Sequence, residues 1–190
     1  MTVALVNLGL PKSGTTTLAR ALQTAGWAAA DHKVRRAHTG DPARAGTFVA
    51  RQIYDGYFAT GDPLARLDLY DALTEISALR PPLSLWPQCD PHVIAAMRAA
   101  RPGLRFVATW RPAQAISDSM RRWTNLGEDR LPAGHIPGLP AGYGAADAER
   151  VRWIEAHYAA LRAMFAGDPA FLELDVGAPD ARDRLAAHLG

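Results

Sequence analysis

The chain has 190 residues, 48% of them hydrophobic, a formal net charge of +2 and a single cysteine, Cys89. That length and apolar content fit one globular domain with one core and exclude a disordered chain. The small net charge argues against a nucleic-acid-binding protein, and a lone cysteine excludes an internal disulfide and fits a reducing cytoplasm.

Val3 to Leu8 is a short apolar run of strand type. Gly9-Leu10-Pro11-Lys12-Ser13-Gly14-Thr15-Thr16-Thr17 follows at once, and Leu18, Leu22 and Ala25 then recur at helical spacing until Gly26 ends the pattern. A buried strand, a glycine-containing turn and a helix N-terminus make an anion site. Free N–H groups of the first turn converge there, and the helix dipole adds positive charge. Lys12 and the hydroxyls of Ser13, Thr15, Thr16 and Thr17 are further donors for phosphate or sulfate oxygens. Gly9 and Gly14 have the spacing of a Walker A loop, but Thr15 stands where such a loop carries its lysine; here the lysine lies inside, at Lys12.

Trp27 to Ala30 is a second short strand. His32 is read as a surface or capping histidine, and Lys33, Arg35 and Arg36 as a solvated basic face or a contact to an anionic acceptor. Phe48, Val49, Ile53 and Tyr57 predict a helix over 46–59, whose Tyr54, Tyr57 and Phe58 pack in the core or line an acceptor pocket. Ala72 to Ser77 reads as one strand, with Glu75 near its end. Asp90-Pro91 reads as a helix cap followed by proline at the first helical position; Val93, Ile94 and Met97 supply that helix's buried face. Leu104 to Thr109 is the clearest further core strand. A helix with Ile116, Met120 and Trp123 on one face follows Trp110-Arg111-Pro112. Residues 124–146 are rich in glycine and proline and read as a long loop. Asp147 begins a helix that buries Val151, Ile154, Tyr158, Leu161 and Phe165. Ala170 to Leu174 is a last strand, and Asp180 caps a last helix ending at Leu189.

Strands alternate with helices, which predicts an α/β fold: a largely parallel sheet with helices on both faces. Ligands of such sheets bind at the carboxyl ends of the strands, where the loops after Leu8 and Thr109 fall. No apolar run approaches the ~18 residues of a membrane span, and no basic region or cleavage site precedes the first strand, so neither membrane span nor signal peptide is expected. The six histidines and Cys89 show no metal-ligand spacing.

Pro11-Lys12-Ser13-Gly14-Thr15-Thr16 resembles the 5′-phosphosulfate loop of sulfotransferases, which reads P-K-[SC]-G-T-T. Phe106 to Ser119 resembles that family's second motif: an apolar strand, then an arginine, then a helix with a serine eight residues after the arginine. Arg111 and Ser119 have this spacing, with Ser117 the alternative if the register differs. Phe171 to Asp175 and the helix ending in Gly190 resemble the family's late strand and helix. The likeness is strongest to short bacterial sulfotransferase-like proteins. It implies a single P-loop-type three-layer domain over 1–190, cytoplasmic, with 3′-phosphoadenosine 5′-phosphosulfate as co-substrate and no metal. Pro11, Lys12, Ser13, Gly14, Thr15, Thr16 and Thr17 would hold the phosphosulfate, and Arg111 and Ser119 the 3′-phosphate.

The chain also departs from the family pattern. Pro112 follows Arg111 without an intervening Asn or Asp, and no histidine base is identifiable. The basic C-terminal segment of larger members is missing, and Arg121, Arg122 and Arg130 are candidates to supply its charge, or are simply solvated. Sulfuryl transfer needs a clamp on the leaving oxygen and a base for the acceptor; Lys12 suits the first. Glu75 is the first candidate for the second, because an acidic residue ends the equivalent strand in related short sulfotransferases. Asp90 is the second and His92 the third. The acceptor would be a small molecule or glycan, met by loops within 33–90 and 124–146; neither nucleic acid nor membrane is expected as a partner. The competing readings are a non-catalytic nucleotide-binding domain and a P-loop kinase; the kinase needs a lysine after Gly14 and an aspartate ending a core strand.

Overall fold

A computed structural model describes residues 2–190. The order of elements is β1 (Leu5–Asn7), α1 (Thr15–Thr24), β2 (Ala29–Ala30), α2 (Val49–Thr60), β3 (Ala72–Leu73), β4 (Ala78–Arg80), β5 (Leu83–Leu85), α3 (Pro91–Ala100), β6 (Arg105–Trp110), α4 (Ala113–Arg122), α5 (Leu131–Ala133), α6 (Asp147–Met164), β7 (Phe171–Asp175) and α7 (Ala181–Leu189). Five strands form one sheet in the order β2-β3-β1-β6-β7. Every pairing in it is parallel. β4 and β5 form a separate antiparallel hairpin.

The period of two sorts the strand residues between two layers. Leu5, Ala29, Ala72, Val107 and Leu174 face α1 and α7, where Leu18, Leu22 and Leu185 meet them. Val6, Ala30, Leu73, Phe106 and Ala108 face the other way, onto α2, α3, α4 and α6. The sheet is therefore buried on both faces, which is why its strands read as continuous apolar runs. From β1 the chain builds β2 and β3 on one side, then crosses back to place β6 and β7 on the other. The loop after β1 thus lies at the point where the strand order reverses, and a crevice opens there.

Three expectations are corrected. Ala72 to Ser77 is not one strand. Pairing stops at Leu73, and the next residue, Thr74, turns its hydroxyl onto the Ala30 carbonyl. Glu75 accepts hydrogen bonds from the Ser77 N–H at 3.1 Å and the Ser77 hydroxyl at 2.6 Å. Such local side-chain bonds compete with a ladder and break it. Trp123 does not share the buried stripe of Ile116 and Met120, because α4 ends at Arg122; its ring is 47% exposed. Residues 124–146 are not a free loop. Leu126–Arg130 makes a π-turn leading into α5, and Leu126, Leu131, Ile136 and Leu139 are buried. Arg150 of α6, only 2% exposed, ties down the far end by donating to the Gly144 and Ala145 carbonyls. Among the described residues no helix is long and apolar enough to cross a membrane.

His157 of α6 pins the end of the first strand. Its Nε2 lies 2.8 Å from the Leu8 carbonyl, which can only accept, so Nε2 carries the proton. Nδ1 is then the acceptor facing the Cys89 thiol at 3.6 Å. Burial pushes the imidazole down to about 4 from 6.5. A depressed histidine contributes stability that is full above its unfolded value and lost as pH falls through the folded one. The stability difference between the native protein and His157→Gln should therefore shrink by about 3 kcal/mol from pH 7 to pH 4, read by urea unfolding at each pH. A difference that stays constant over that range would contradict the buried neutral imidazole.

Candidate functional site

Asn7, the last residue of β1, begins the site. Its Nδ2 donates to the Thr74 carbonyl at 2.8 Å and to Thr109 Oγ1 at 3.1 Å. Its Oδ1 accepts from the Gly9 and Thr109 N–H groups, each at 3.0 Å. One buried amide thus joins the carboxyl ends of β1 and β6 to the turn after β3. Thr109 Oγ1 also meets Ser13 Oγ at 2.6 Å, which draws the loop onto β6. From the helical layer, the Tyr158 hydroxyl donates to the Thr109 carbonyl at 2.8 Å and accepts from the Leu10 N–H at 3.3 Å.

Held in this way, the loop has little freedom. A Cβ at Gly9 would stand 2.4 Å from Thr109 Oγ1, and one at Gly14 would stand 2.4 Å from Val176 Cγ2. Lys12 and Gly14 both take positive φ, 73° and 117°, so the backbone curls tightly ahead of α1. The first intrahelical bond of α1 runs from the Leu18 N–H to the Gly14 carbonyl. The N–H groups of Thr15, Thr16 and Thr17 consequently have no partner within the helix, and Gly14 brings no side chain to cap them. This is the geometry of an anion cradle.

The cradle forms the floor of a cavity of about 880 Å³ at the carboxyl edge of the sheet. Pro11, Lys12, Gly14, Thr15 and Thr16 line it, together with Glu75, Arg111 and Ser119. The donors contributed by the end of β6 and by α4 therefore meet those of the first loop in one space. Arg111 Nη1 reaches the Lys12 carbonyl at 3.5 Å. The Lys12 ammonium lies 4.6 Å from the centre of the Trp123 ring. Burial lowers its pKa; Glu75 opposes that shift, while Arg111 and Arg122 reinforce it. The Glu75 carboxyl is pushed up by burial, against the Ser77 hydrogen bonds and the Thr15 hydroxyl. A carboxylate that gains from accepting a proton thus shares the cavity with an ammonium that gains from losing one.

Several candidates fall outside this space. The Ser13 hydroxyl points inward to Thr109 and its N–H donates to the Leu10 carbonyl at 3.1 Å, so this fully buried residue stays off the cavity lining. Thr17 is exposed and lies off the cavity lining. Ser117 is buried, donating to Asp147 at 2.5 Å and accepting from Arg150 at 2.9 Å, which leaves Ser119 as the serine of α4 in the site. Asp90 caps α3: its Oδ1 accepts from the His92 and Val93 N–H groups, and its Oδ2 from the Tyr54 hydroxyl. With those acceptors engaged and the residue off the lining, Asp90 is a structural carboxylate. His92 is 86% exposed at its side chain and equally remote. Tyr54, Tyr57 and Phe58 do not line the cavity; Phe58 is 80% exposed and stacks on Tyr54. His32, Lys33, Arg35 and Arg130 do line it, whereas Arg36, Arg121 and Arg122 do not.

Sequence reasoning missed Asn7, Thr109, Tyr158 and Trp123 as site-building residues. For the first two a signal existed: a polar residue inside an otherwise apolar strand is costly unless its bonds are met. Comparison of the chain with protein-family models and with curated proteins gives no match.

Asn7→Ala removes the acceptor of two buried N–H groups and the donor to Thr109. It should lower unfolding stability by about 2–4 kcal/mol, since each unsatisfied buried group costs about 1–3 kcal/mol. Urea denaturation measures this directly, and an unchanged midpoint would show that the network contributes nothing.

Proposed function

We propose that this chain is a sulfotransferase with a P-loop-type fold, moving a sulfuryl group from 3′-phosphoadenosine 5′-phosphosulfate to a hydroxyl or amine. One observation carries the reading: the loop that resembles a phosphosulfate loop and the arginine–serine pair that resembles a 3′-phosphate site line the same cavity. They follow β1 and β6, strands that are neighbours in the sheet but far apart in the chain, and meet only through folding. The cavity volume of about 880 Å³ suits a nucleotide and a small acceptor together.

In this reading the unpartnered N–H groups of Thr15 and Thr16 and the Lys12 ammonium receive the 5′-phosphosulfate, and Arg111 and Ser119 receive the 3′-phosphate. Arg111 brings a planar fork of donors, which suits a phosphate better than a point charge does. As sulfur leaves the bridging oxygen, negative charge grows there, and Lys12 is the donor fixed beside it. Glu75 takes the proton of the incoming hydroxyl. Its raised pKa supports that role, because a base works best when its pKa approaches the working pH. A carboxylate beside an anionic donor is otherwise unfavourable. A P-loop kinase fits less well: Thr15 stands at the lysine position, and β6 ends at Thr109-Trp110 without an aspartate.

The test is transfer from a radiolabelled sulfate donor to a panel of phenols, sugars and amines. Lys12→Ala should reduce turnover by about 10²–10³ while binding of the desulfated bisphosphate weakens far less. Tight bisphosphate binding with no transfer by the native protein would favour the non-catalytic nucleotide-binding reading instead.

A further inference from the structure

Seven lysine and arginine side chains but only two carboxylates line the cavity. On the reading above, Lys12, Arg111 and Arg20 lie with the cradle, α1 and the end of β6, on the donor side. Of the others, Lys33 and Arg35 follow β2, Arg80 ends β4 and Arg130 lies on the π-turn after α4. Of these, Arg35 is paired with Asp31 at 3.2 Å. Lys33, Arg80 and Arg130 have no carboxylate partner among the described residues.

Arg130 is the most informative of them. It stands on the π-turn after α4 and is half-buried, so its charge has lost part of its hydration. Burial lowers its pKa, and no counter-ion offsets that. One arm of its guanidinium donates to the Leu79 carbonyl, which holds it against the β4–β5 hairpin beside Arg80. Its centre lies 5.9 Å from the centre of the Trp123 ring, and the Lys12 ammonium lies 4.6 Å from the same point. Arg130 and Lys12 are therefore no further apart than the sum of those two distances. Glu75 opens the segment that leads into the same hairpin. A partly desolvated cation without a partner is unfavourable in the free protein and becomes favourable when an anion fills its open side.

We propose that the acceptor is itself a small anion: a hydroxyl compound whose carboxylate or phosphate binds Arg130 and Arg80 while its hydroxyl reaches Glu75 and Lys12. The proposal rests on the sulfotransferase reading and names the acceptor half of that site. In the step, the acceptor oxygen forms a bond to sulfur, the bond from sulfur to the bridging phosphate oxygen breaks, the hydroxyl proton passes to Glu75, and 3′-phosphoadenosine 5′-phosphate leaves. The short span between Arg130 and Lys12 restricts the acceptor to molecules the size of a single ring or monosaccharide. Long or bulky neutral acceptors would leave Arg130 desolvated and unpaired, which is a penalty against them.

The experiment uses two matched pairs of probes with the full chain and the sulfate donor. 4-Hydroxybenzoate is compared with 4-hydroxybenzamide, and glucose 6-phosphate with glucose. Transfer to the anionic member should be favoured by about tenfold or more in kcat/KM in at least one pair, and which pair responds tells carboxylate from phosphate. Arg130→Gln, and separately the exposed Arg80→Gln, should erode that preference mainly through KM. Equal rates within both pairs, including no transfer to any of the four, would overturn the proposal, as would a preference unchanged in both variants. Calorimetric titration with 3′-phosphoadenosine 5′-phosphate in the same samples keeps the two claims apart. Binding without an anion preference removes only the acceptor class; loss of that binding in the native protein removes the sulfotransferase reading itself.

Discussion

The buried amide of Asn7 is the contact on which the site depends. Its two polar atoms reach the Thr74 carbonyl, the Gly9 N–H, and both the N–H and the hydroxyl of Thr109. Strand ends that pair only over a few residues are free to splay; here three of them are locked at their carboxyl edge by one side chain. Gly9 must lack a Cβ because this lock brings Thr109 within 2.4 Å of where that atom would stand. Ser13 follows, drawn onto Thr109, and its inward turn is what leaves Lys12 and Gly14 at positive φ on the outer bend. Tyr158 closes the arrangement from the helical layer. The loop is held by that lock, and the open N–H groups of α1 follow from its start after Gly14, which brings no capping side chain.

Electrostatics then decides what such a cradle can hold. Uncapped N–H groups, a lysine and an arginine converge on one space and bring positive potential to it. Little within the protein offsets it: Lys12 meets a tryptophan face, and Glu75, which favours the charged lysine, is hydrogen-bonded by Ser77. Burial favours the neutral form of both Lys12 and Glu75. A site in that state gains from an anion beside the lysine and from a proton on the carboxyl. On the proposed reading, an anionic sulfuryl donor and a hydroxyl acceptor would supply one each.

The α/β class, the parallel sheet and the edge that carries the cavity were legible because they follow from period and order alone. So was the helix cap at Asp90, a short-range signal; the same signal explains why Asp90 serves α3 rather than the cavity. What sequence could not show was orientation. Ser13, Thr15 and Thr17 look alike along the chain, yet the first turns into the core, the second faces Glu75 and the third faces solvent. Trp123 looked like the next member of an apolar stripe, and only the end of α4 at Arg122 frees it to cover Lys12. The segment after it carried a loop's composition but also Leu126, Leu131, Ile136 and Leu139, which tertiary packing buries. Partners as distant in sequence as Asn7 and Thr109 have no local pattern to announce them.

The central claim is that one cavity takes both phosphates of a sulfate donor. A crystal structure with 3′-phosphoadenosine 5′-phosphate bound tests it most directly. The account predicts the 5′-phosphate on the N–H groups of Thr15 and Thr16 with the Lys12 ammonium beside it, and the 3′-phosphate against Arg111 and Ser119. A bisphosphate bound away from the first loop, or one whose 3′-phosphate points to solvent with Arg111 left on the Lys12 carbonyl, would contradict it.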